Sequence, residues 1–302
     1  MRHFLTLRDL SGKEILNLVN KGLRIKKFPR FYSNRLKNKT MLMFFEKPSL
    51  RTRVSFKVAM NQMSGSALYY DLMGSPLTKG KETIEDTAKV ISRYCDFLTA
   101  RVYEHDELKK LASNSTIPVI NALSNSDHPC QAIGDLMTIK EKFGKLKGLT
   151  LAYYGDGDGN VTHSLMHACS KVGINIYIFC PKQFMPKEPF IKDSIRFAKE
   201  NNSKVVIENK PRKIKADIVY TDTWMSYHIN PREKNKRVKI FKPYQINKNI
   251  LGDALFMHCL PAQRGYEVTN EVMNGKQSII FDQAENRLHS AKSIILWCLG
   301  KI

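Results

Sequence analysis

The stretch "MLMFFEKPSLRTRVSF" (residues 41–56) joins a run of five apolar residues to a cluster of serine, threonine and arginine. The apolar run predicts a buried strand that ends near Phe45, and Pro48 then breaks the pattern. From residue 54 to residue 63, apolar side chains return at helical spacing. The stretch therefore predicts a strand that turns directly into a helix, which is the unit from which α/β folds are built.

The turn of this unit, residues 49–53, predicts an anion-binding site. The N–H groups of a first helical turn lack intrahelical acceptors, and the helix dipole is positive there. Arg51 and Arg53 add guanidinium groups that can bind phosphate oxygens in pairs. The alternative is that Ser49 only caps the helix and that the arginines are solvated. This segment alone does not decide between the two.

The same alternation of strands and helices continues along the whole chain. It predicts two open, mostly parallel sheets of the βαβ type with helices on both faces. The predicted strands are 40–45, 66–71, 97–102, 117–121, 149–154, 175–180, 204–208, 217–221, 254–259 and 278–281, and the predicted helices are 54–63, 84–94, 105–112, 130–143, 161–172, 189–201 and 284–299.

The length of 302 residues predicts two domains rather than one. The segment "KFGKLKG" (142–148) interrupts the alternation and predicts the boundary between them. No apolar run reaches the roughly 20 residues that cross a bilayer, and the N-terminal residues contain no apolar stretch of signal-peptide length. The six cysteines form no CxxC pair, which favours reduced thiols over disulfides. We therefore expect a cytoplasmic protein without a membrane segment.

The net charge of +21 raises the hypothesis of nucleic-acid binding. Residues 1–150 carry +12 of this charge and residues 151–302 carry +9, so the excess is spread over both halves. Basic clusters at 21–30 and 231–242 lack the interleaved aromatic residues of a strand-binding groove. The charge therefore predicts a solvated surface, with nucleic-acid binding as a distant alternative.

Polar residues follow the predicted strands at the ends where open parallel sheets bind ligands. His128 and Gln131 can donate hydrogen bonds to a carbonyl or a developing oxyanion. Asp222 and Ser226 can bind a cationic amino group. Cys259 can act either as a nucleophile or through its main-chain carbonyl, and both alternatives stay open. His163 and His167, four residues apart, have metal-ligand spacing without the rest of a metal motif, so we expect no metal. Together these positions favour an anion-binding enzyme.

A set of motifs in this order resembles the aspartate/ornithine carbamoyltransferase family. "SLRTR" and "HPCQ" are typical of the whole family, whereas "DTWMS" and "HCLPAQRGYEV" resemble its ornithine branch. Other matching segments are "DTAKVISRYCDFLTARV", "GDGDGNVTHSLM" and "FDQAENRLHS". The match covers nearly the whole chain.

The resemblance implies two sets of binding residues. Carbamoyl phosphate is expected at Ser49, Leu50, Arg51, Thr52, Arg101, His128, Gln131, Cys259, Leu260 and Arg287, of which Thr52, Arg101, His128 and Cys259 are the expected catalytic residues. The amine substrate is expected at Asn160, Asp222, Ser226 and Tyr227. The first set is expected in a domain of residues 1–143, on which helix 284–302 packs. The second set is expected in a domain of residues 149–283. The active site is expected in the cleft between the two domains.

The resemblance also implies the reaction. The δ-amine of L-ornithine attacks the carbamoyl carbon of carbamoyl phosphate, which gives L-citrulline and phosphate in arginine biosynthesis. No metal or organic cofactor is expected, and the family is typically a homotrimer. An alternative is a carbamoyltransferase for another amine, such as putrescine or an acylated ornithine. Asp222 argues against acylation at the α-amine, because a carboxylate there favours an ammonium partner.

Three positions depart from the family pattern. Ser226 is followed by Tyr227 and His228, where the family has Met and Gly. "GDGDGN" is one residue longer than the family's segment, which bears on Asn160. Leu77 stands where the family has a Gln or His that reaches the neighbouring subunit's site, and Lys79 or Lys81 could supply a donor instead. The first two of these departures concern the amine, the second substrate.

Overall fold

The computed structural model describes residues 2–75, 77, 79–225 and 229–301 of the chain. Its contacts divide into two compact units. Unit 1 comprises Met1–Leu10, Glu14–Met137 and Asn286–Ile302, and unit 2 comprises Ser11–Lys13 and Thr138–Glu285. The division therefore falls between residues 137 and 138, ahead of the "KFGKLKG" segment.

The sheet of unit 1 has the strand order β2-β1-β3-β4 among the described residues, and every neighbouring pair is parallel. Its first strand, β1, is the apolar run on which the prediction of a βα unit rests. The elements in chain order are α1 (Gly12–Lys27), β1 (Thr40–Phe45), α2 (Leu50–Gln62), β2 (Ser66–Asp71), α3 (Ile84–Tyr94), β3 (Phe97–Arg101), α4 (His105–Ser113), β4 (Val119–Leu123) and α5 (Pro129–Phe143).

The sheet of unit 2 has the order β7-β6-β5-β8-β9, again with parallel pairs among the described residues. Apolar side chains of β5, β6, β8 and β9 fill its core. The elements are β5 (Thr150–Tyr154), α6 (Asn160–Val172), β6 (Asn175–Phe179), α7 (Glu188–Glu200), β7 (Val205–Glu208), β8 (Ile218–Thr221), α8 (Lys234–Phe241), α9 (Lys248–Leu251), β9 (Leu255–His258), α10 (Asn270–Asn274) and α11 (Ile280–Cys298).

The predicted fold class is confirmed, since both sheets are parallel and helices surround them. One predicted strand, 278–281, is wrong. Ser278 makes only an isolated bridge to Phe256, and α11 already begins at Ile280. The apolar pair Ile279 and Ile280 is buried at the start of this helix, which explains why a short apolar run resembled a strand.

The last helix, α11, supplies residues to unit 1 from Asn286 onward. The ring of Trp297 lies edge-on against Phe4 with centroids 6.0 Å apart. Lys292 donates a hydrogen bond to Gln62 at the end of α2. Arg287 on this helix therefore belongs to the same unit as the α2 turn. Among the described residues, no helix is both long and apolar enough to span a bilayer.

Candidate functional site

The α2 turn combines a helix cap with a set of anion-binding groups. Ser49 is the N-cap residue, and its Oγ accepts a hydrogen bond from the Thr52 amide at 3.4 Å. The same hydroxyl lies 3.1 Å from Thr52 Oγ1. Leu50 is 74% exposed, so what it can offer a ligand is its main-chain N–H at the first turn of the helix. The capping interpretation is thus correct for Ser49, and it coexists with an open helix N-terminus.

Arg101 lies at the last position of β3, where the pairing with β4 changes register between Ala100 and Arg101. Such an irregularity re-aims side chains at a strand end. Burial lowers the pKa of Lys47, and the nearby charge of Arg101 lowers it further. Both cations therefore lie near the end of β1. A second cationic element therefore stands beside the α2 turn.

His128 precedes α5 and is surrounded by guanidinium groups. Burial lowers its pKa well below the ordinary value, and the charges of Arg287, Arg101 and Arg51 lower it further. Arg287 Nη1 lies 3.4 Å from His128 Nε2, so Nε2 accepts the hydrogen bond. The imidazole is therefore neutral, and three arginines from three different elements converge on it.

Gln131 joins this cluster through Arg287, because Arg287 Nη1 donates to Gln131 Oε1. One amide N–H of Gln131 is directed to Asp135 Oδ1 at 2.8 Å. The other N–H can still reach a ligand, which is the role expected of it from the sequence. Both Gln131 and Arg287 are buried. Unit 1 thus brings together Arg51, Arg101, His128, Gln131 and Arg287 of the expected carbamoyl-phosphate set.

Unit 2 places Asp222 and Cys259 side by side, after β8 and β9. The Cys259 thiol donates a hydrogen bond to Asp222 Oδ1 at 2.9 Å. A thiol that donates to a carboxylate is protonated, which favours the main-chain role of Cys259 over a nucleophilic one. Asn160 is buried at the first position of α6. Ser226, Tyr227 and His228 lie outside the described residues.

The turn after β9 holds Leu260 at φ +59° before a cis bond to Pro261. Its amide donates to His258 Nδ1 at 2.8 Å, and His258 Nε2 lies 3.3 Å from Glu267 Oε1. Glu267 Oε1 also accepts from the Gln263 amide at 2.5 Å. The sequence reasoning missed His258 and Glu267 as supports of this turn, although both stand in the quoted "HCLPAQRGYEV" motif.

The described residues contain one group of potential metal ligands, formed by Asp222, His258 and Cys259 within 4.8 Å of one another. Both ring nitrogens of His258 already take part in hydrogen bonds inside the turn, which leaves one carboxylate and one thiol. His163 and His167, the pair considered from the sequence, instead pack against aromatic rings, with His163 and Phe190 stacked at 3.9 Å.

Leu77 packs against the apolar cluster of its own unit, beside Leu72 and Ile84. An apolar side chain held in this way offers no hydrogen bond to a substrate.

Two family models match this chain. The description "Aspartate/ornithine carbamoyltransferase, carbamoyl-P binding domain" matches residues 2–141. The description "Aspartate/ornithine carbamoyltransferase, Asp/Orn binding domain" matches residues 147–298.

Similar proteins bear names from the same family. An ornithine carbamoyltransferase of Caldicellulosiruptor saccharolyticus is 45% identical, with 100% of both chains covered. An anabolic ornithine carbamoyltransferase of Pyrococcus furiosus is 43% identical over 100% of this chain and 97% of its own.

Solved structures agree with these relatives. The ornithine carbamoyltransferase from Pyrococcus furiosus superposes with a TM-score of 0.94 at 42% identity, covering 100% of this chain and 98% of that one. The ornithine transcarbamoylase from Giardia lamblia gives 0.90 at 37% identity, covering 100% and 99%. The resemblance found in the motifs is confirmed, and this chain belongs to the aspartate/ornithine carbamoyltransferase family.

Proposed function

We propose that this protein is an ornithine carbamoyltransferase that converts carbamoyl phosphate and L-ornithine into L-citrulline and phosphate in arginine biosynthesis. The observation that carries the proposal is the convergence of Arg51, Arg101 and Arg287 on the neutral His128. Three guanidinium groups next to an open helix N-terminus suit the dianionic phosphate of carbamoyl phosphate. The names of the relatives support the same reaction.

The residues of unit 1 would bind the phosphate and the carbamoyl oxygen. Ser49, Leu50, Arg51 and Thr52 would contact the phosphate with Arg287 and Gln131. Arg101, Thr52 and His128 would stabilise the negative charge that develops on the carbamoyl oxygen when the amine attacks. A neutral imidazole is suited to this, because it can donate one hydrogen bond while its Nε2 accepts from Arg287.

The residues of unit 2 would bind the amine. Asp222 would attract the α-ammonium group, with Asn160, Ser226 and Tyr227 at the rest of the amino acid. The main chain of Cys259 and Leu260 would bind the carbamoyl amide. The δ-amine has to be bound oriented and unprotonated, because its lone pair forms the C–N bond. As the C–O bond to phosphate breaks, the proton that the nitrogen loses passes to the departing phosphate.

We further propose a homotrimer located in the cytoplasm. The exposed apolar side chains Leu68, Tyr70, Val90 and Tyr94, which we call the β2–α3 face, support contact with another copy of the chain. Tyr70, Val90 and Tyr94 also line a cavity of about 200 Å³ that a partner's side chain could enter. The six cysteines are free, as suits a reducing compartment.

The test is citrulline formation from carbamoyl phosphate and L-ornithine, with putrescine, acetylornithine and aspartate as parallel acceptors. We expect turnover with ornithine at least about a hundredfold above that with any other amine, since only ornithine offers both an α-ammonium and a δ-amine. Equal or better turnover with putrescine would keep the phosphate assignment and overturn the assignment of ornithine.

A further inference from the structure

Arg237 is a buried arginine in a chain whose cations are mostly at the surface. It lies on α8 and is 5% exposed. Its guanidinium carbon is 4.5 Å from the ring centroid of Phe184 and 5.0 Å from that of Phe241. Such a cation between aromatic rings is held in one orientation. The rings leave its N–H groups directed toward two loops at the strand ends of unit 2.

Both loops accept hydrogen bonds from this one side chain. Arg237 Nε donates to the main-chain oxygen of Trp224 at 2.7 Å. Arg237 Nη2 donates to Asp156 Oδ2 in a buried ion pair. Trp224 lies two residues after Asp222, and Asp156 lies four residues before Asn160. The guanidinium therefore ties the loop after β8 to the loop after β5, and each of them carries a residue proposed to bind the amine.

We propose that Arg237 is a positioning residue for the amine substrate: it fixes Asp222 through the Trp224 main chain and Asn160 through Asp156. This inference rests on the proposed function, and it adds a residue that contacts no substrate itself.

The two loops and the ends of the strands that precede them also pack closely. Gly155 adopts φ +135°, and a Cβ there would lie 3.6 Å from the indole nitrogen of Trp224. Thr221 Oγ1 donates to the main-chain oxygen of Tyr154 at 2.6 Å. The loops thus pack backbone to side chain at close range, and Trp224 is buried at their contact. A shift of the Trp224 main chain would move Asp222 with it, since only one residue separates them.

Trp224 lies in the loop after β8, and Arg237 lies on α8. Holding a loop in one conformation costs conformational entropy, which a hydrogen bond to a helix can offset in part. The bond from Arg237 to the Trp224 oxygen therefore restrains the loop at this position. We therefore expect the loss of Arg237 to affect amine binding more than carbamoyl-phosphate binding.

The competing explanation is that the Asp156–Arg237 pair only stabilises unit 2. Burial raises the pKa of Asp156, and the charge of Arg237 opposes that change, so removing the arginine leaves an uncompensated buried carboxylate. Replacing both partners removes this penalty but does not restore the bond to the Trp224 oxygen. The double variant Arg237→Met with Asp156→Asn therefore separates stability from positioning.

The experiment measures KM for ornithine, KM for carbamoyl phosphate, kcat and the unfolding temperature. We expect Arg237→Met to raise KM for ornithine at least tenfold, with KM for carbamoyl phosphate within twofold of the wild type. The double variant should recover most of the unfolding temperature and keep the raised KM. Arg237→Lys, which keeps the charge but has one nitrogen in place of the two that make these bonds, should give an intermediate KM. An unchanged KM for ornithine in both Arg237→Lys and Arg237→Met would overturn the proposal. So would a double variant that recovered the wild-type KM for ornithine together with the unfolding temperature.

The matched control is Arg212→Met. Arg212 also forms an ion pair in unit 2, with Glu208, but its side chain is 56% exposed and it contacts neither loop. This variant should keep both KM values. If Arg212→Met raised KM for ornithine as much as Arg237→Met does, the effect would belong to unit 2 as a whole, and the positioning role would be rejected.

A second measurement does not depend on the reaction. Trp224 and Trp297 are the two tryptophans of the chain, so Trp297→Phe leaves Trp224 as the reporter. In that background, Arg237→Met should increase acrylamide quenching of Trp224 several-fold, whereas Arg212→Met should not. If the wild type made no citrulline, the proposed function would fail while this measurement still tested the tie. Unchanged quenching would overturn the positioning role on its own.

Discussion

His128 stands out in unit 1, because burial and then the charges of three arginines lower its pKa and hold it neutral. Its Nε2 accepts from Arg287, so the ring proton resides on the other nitrogen. A protonated imidazole would add a fourth positive charge to a buried cluster and would lose its acceptor role. Arg287 thus fixes which ring nitrogen would donate to a substrate oxygen.

The lowered pKa of His128 predicts a contribution to acid sensitivity. Below about pH 6.5 the unfolded chain binds a proton at this residue and the folded chain does not. The free energy of unfolding therefore falls as the pH falls. His128→Gln should make this slope shallower by about 1.4 kcal/mol per pH unit between pH 6 and 5. Urea unfolding of both proteins at three pH values in that range checks it, and equal slopes would contradict the neutral imidazole.

Arg51 carries a prediction about the phosphate. Arg51→Ala removes one of three guanidinium groups and should lower kcat/KM for carbamoyl phosphate by a factor on the order of 10³ without unfolding the protein. Lys57→Ala is the control, since Lys57 is an exposed cation on the same helix. Steady-state kinetics with circular dichroism measure both. A normal rate in Arg51→Ala would remove the phosphate assignment from the α2 turn.

At the scale of elements, the turn from β1 into α2 is capped by Ser49, the same serine that we propose binds the phosphate. Ser49 Oγ accepts from the Thr52 amide and donates its own proton to Thr52 Oγ1. A capping residue that also binds a substrate cannot be optimised for either task alone. Variants that keep one task and remove the other can separate them.

Ser49→Asp keeps a capping oxygen but adds a negative charge, whereas Ser49→Ala loses the cap. We expect Ser49→Ala to cost about 1 kcal/mol of stability. Ser49→Asp should retain the stability but raise KM for carbamoyl phosphate at least tenfold by repulsion. Thr269→Asp at the N-cap of α10 should leave KM unchanged. Thermal unfolding and kinetics measure the set, and a normal KM in Ser49→Asp would restrict Ser49 to capping.

Most strands of both sheets could be predicted from the sequence, because a strand buried on both faces is a short continuous apolar run. The prediction failed where such a run is not a strand, at Ile279 and Ile280. It also omitted α1, although its buried residues Ile15, Leu18 and Val19 follow helical spacing. β4 begins at Val119 rather than at 117, since propensity does not determine where pairing with β3 starts.

The clustering of the expected anion-binding residues could be predicted for a different reason, because the carboxyl ends of parallel strands meet at one edge of the sheet. The roles of Arg237 and Glu267 could not be predicted, because the sequence gives no sign that a charged residue is buried. Arg237 stands in the cluster 231–242, which we expected to be solvated surface, and the structure contradicts this for Arg237. Only the packing of Phe184 and Phe241 around it shows the difference.

At the scale of the whole molecule, the β2–α3 face and the charge of the chain predict opposite behaviour. A net charge of +21 repels copies of the chain, whereas exposed Leu68, Tyr70 and Tyr94 favour association. Long-range repulsion between exposed charges is screened at physiological salt, while burial of apolar surface is not. Association should therefore dominate, and it should persist or strengthen as salt is added.

The proposed trimer predicts a particle of three times 34.7 kDa by light scattering. Tyr94→Glu puts a charge into the β2–α3 face, where burying it without a partner costs several kcal/mol, so this variant should dissociate to the monomer. Ile195→Glu on α7 is the control, because Ile195 is also exposed but lies in unit 2. A monomeric wild type at micromolar concentration, or a trimeric Tyr94→Glu, would show that this face does not join the subunits. Loss of citrulline formation together with the trimer would further indicate that each site needs a neighbouring copy.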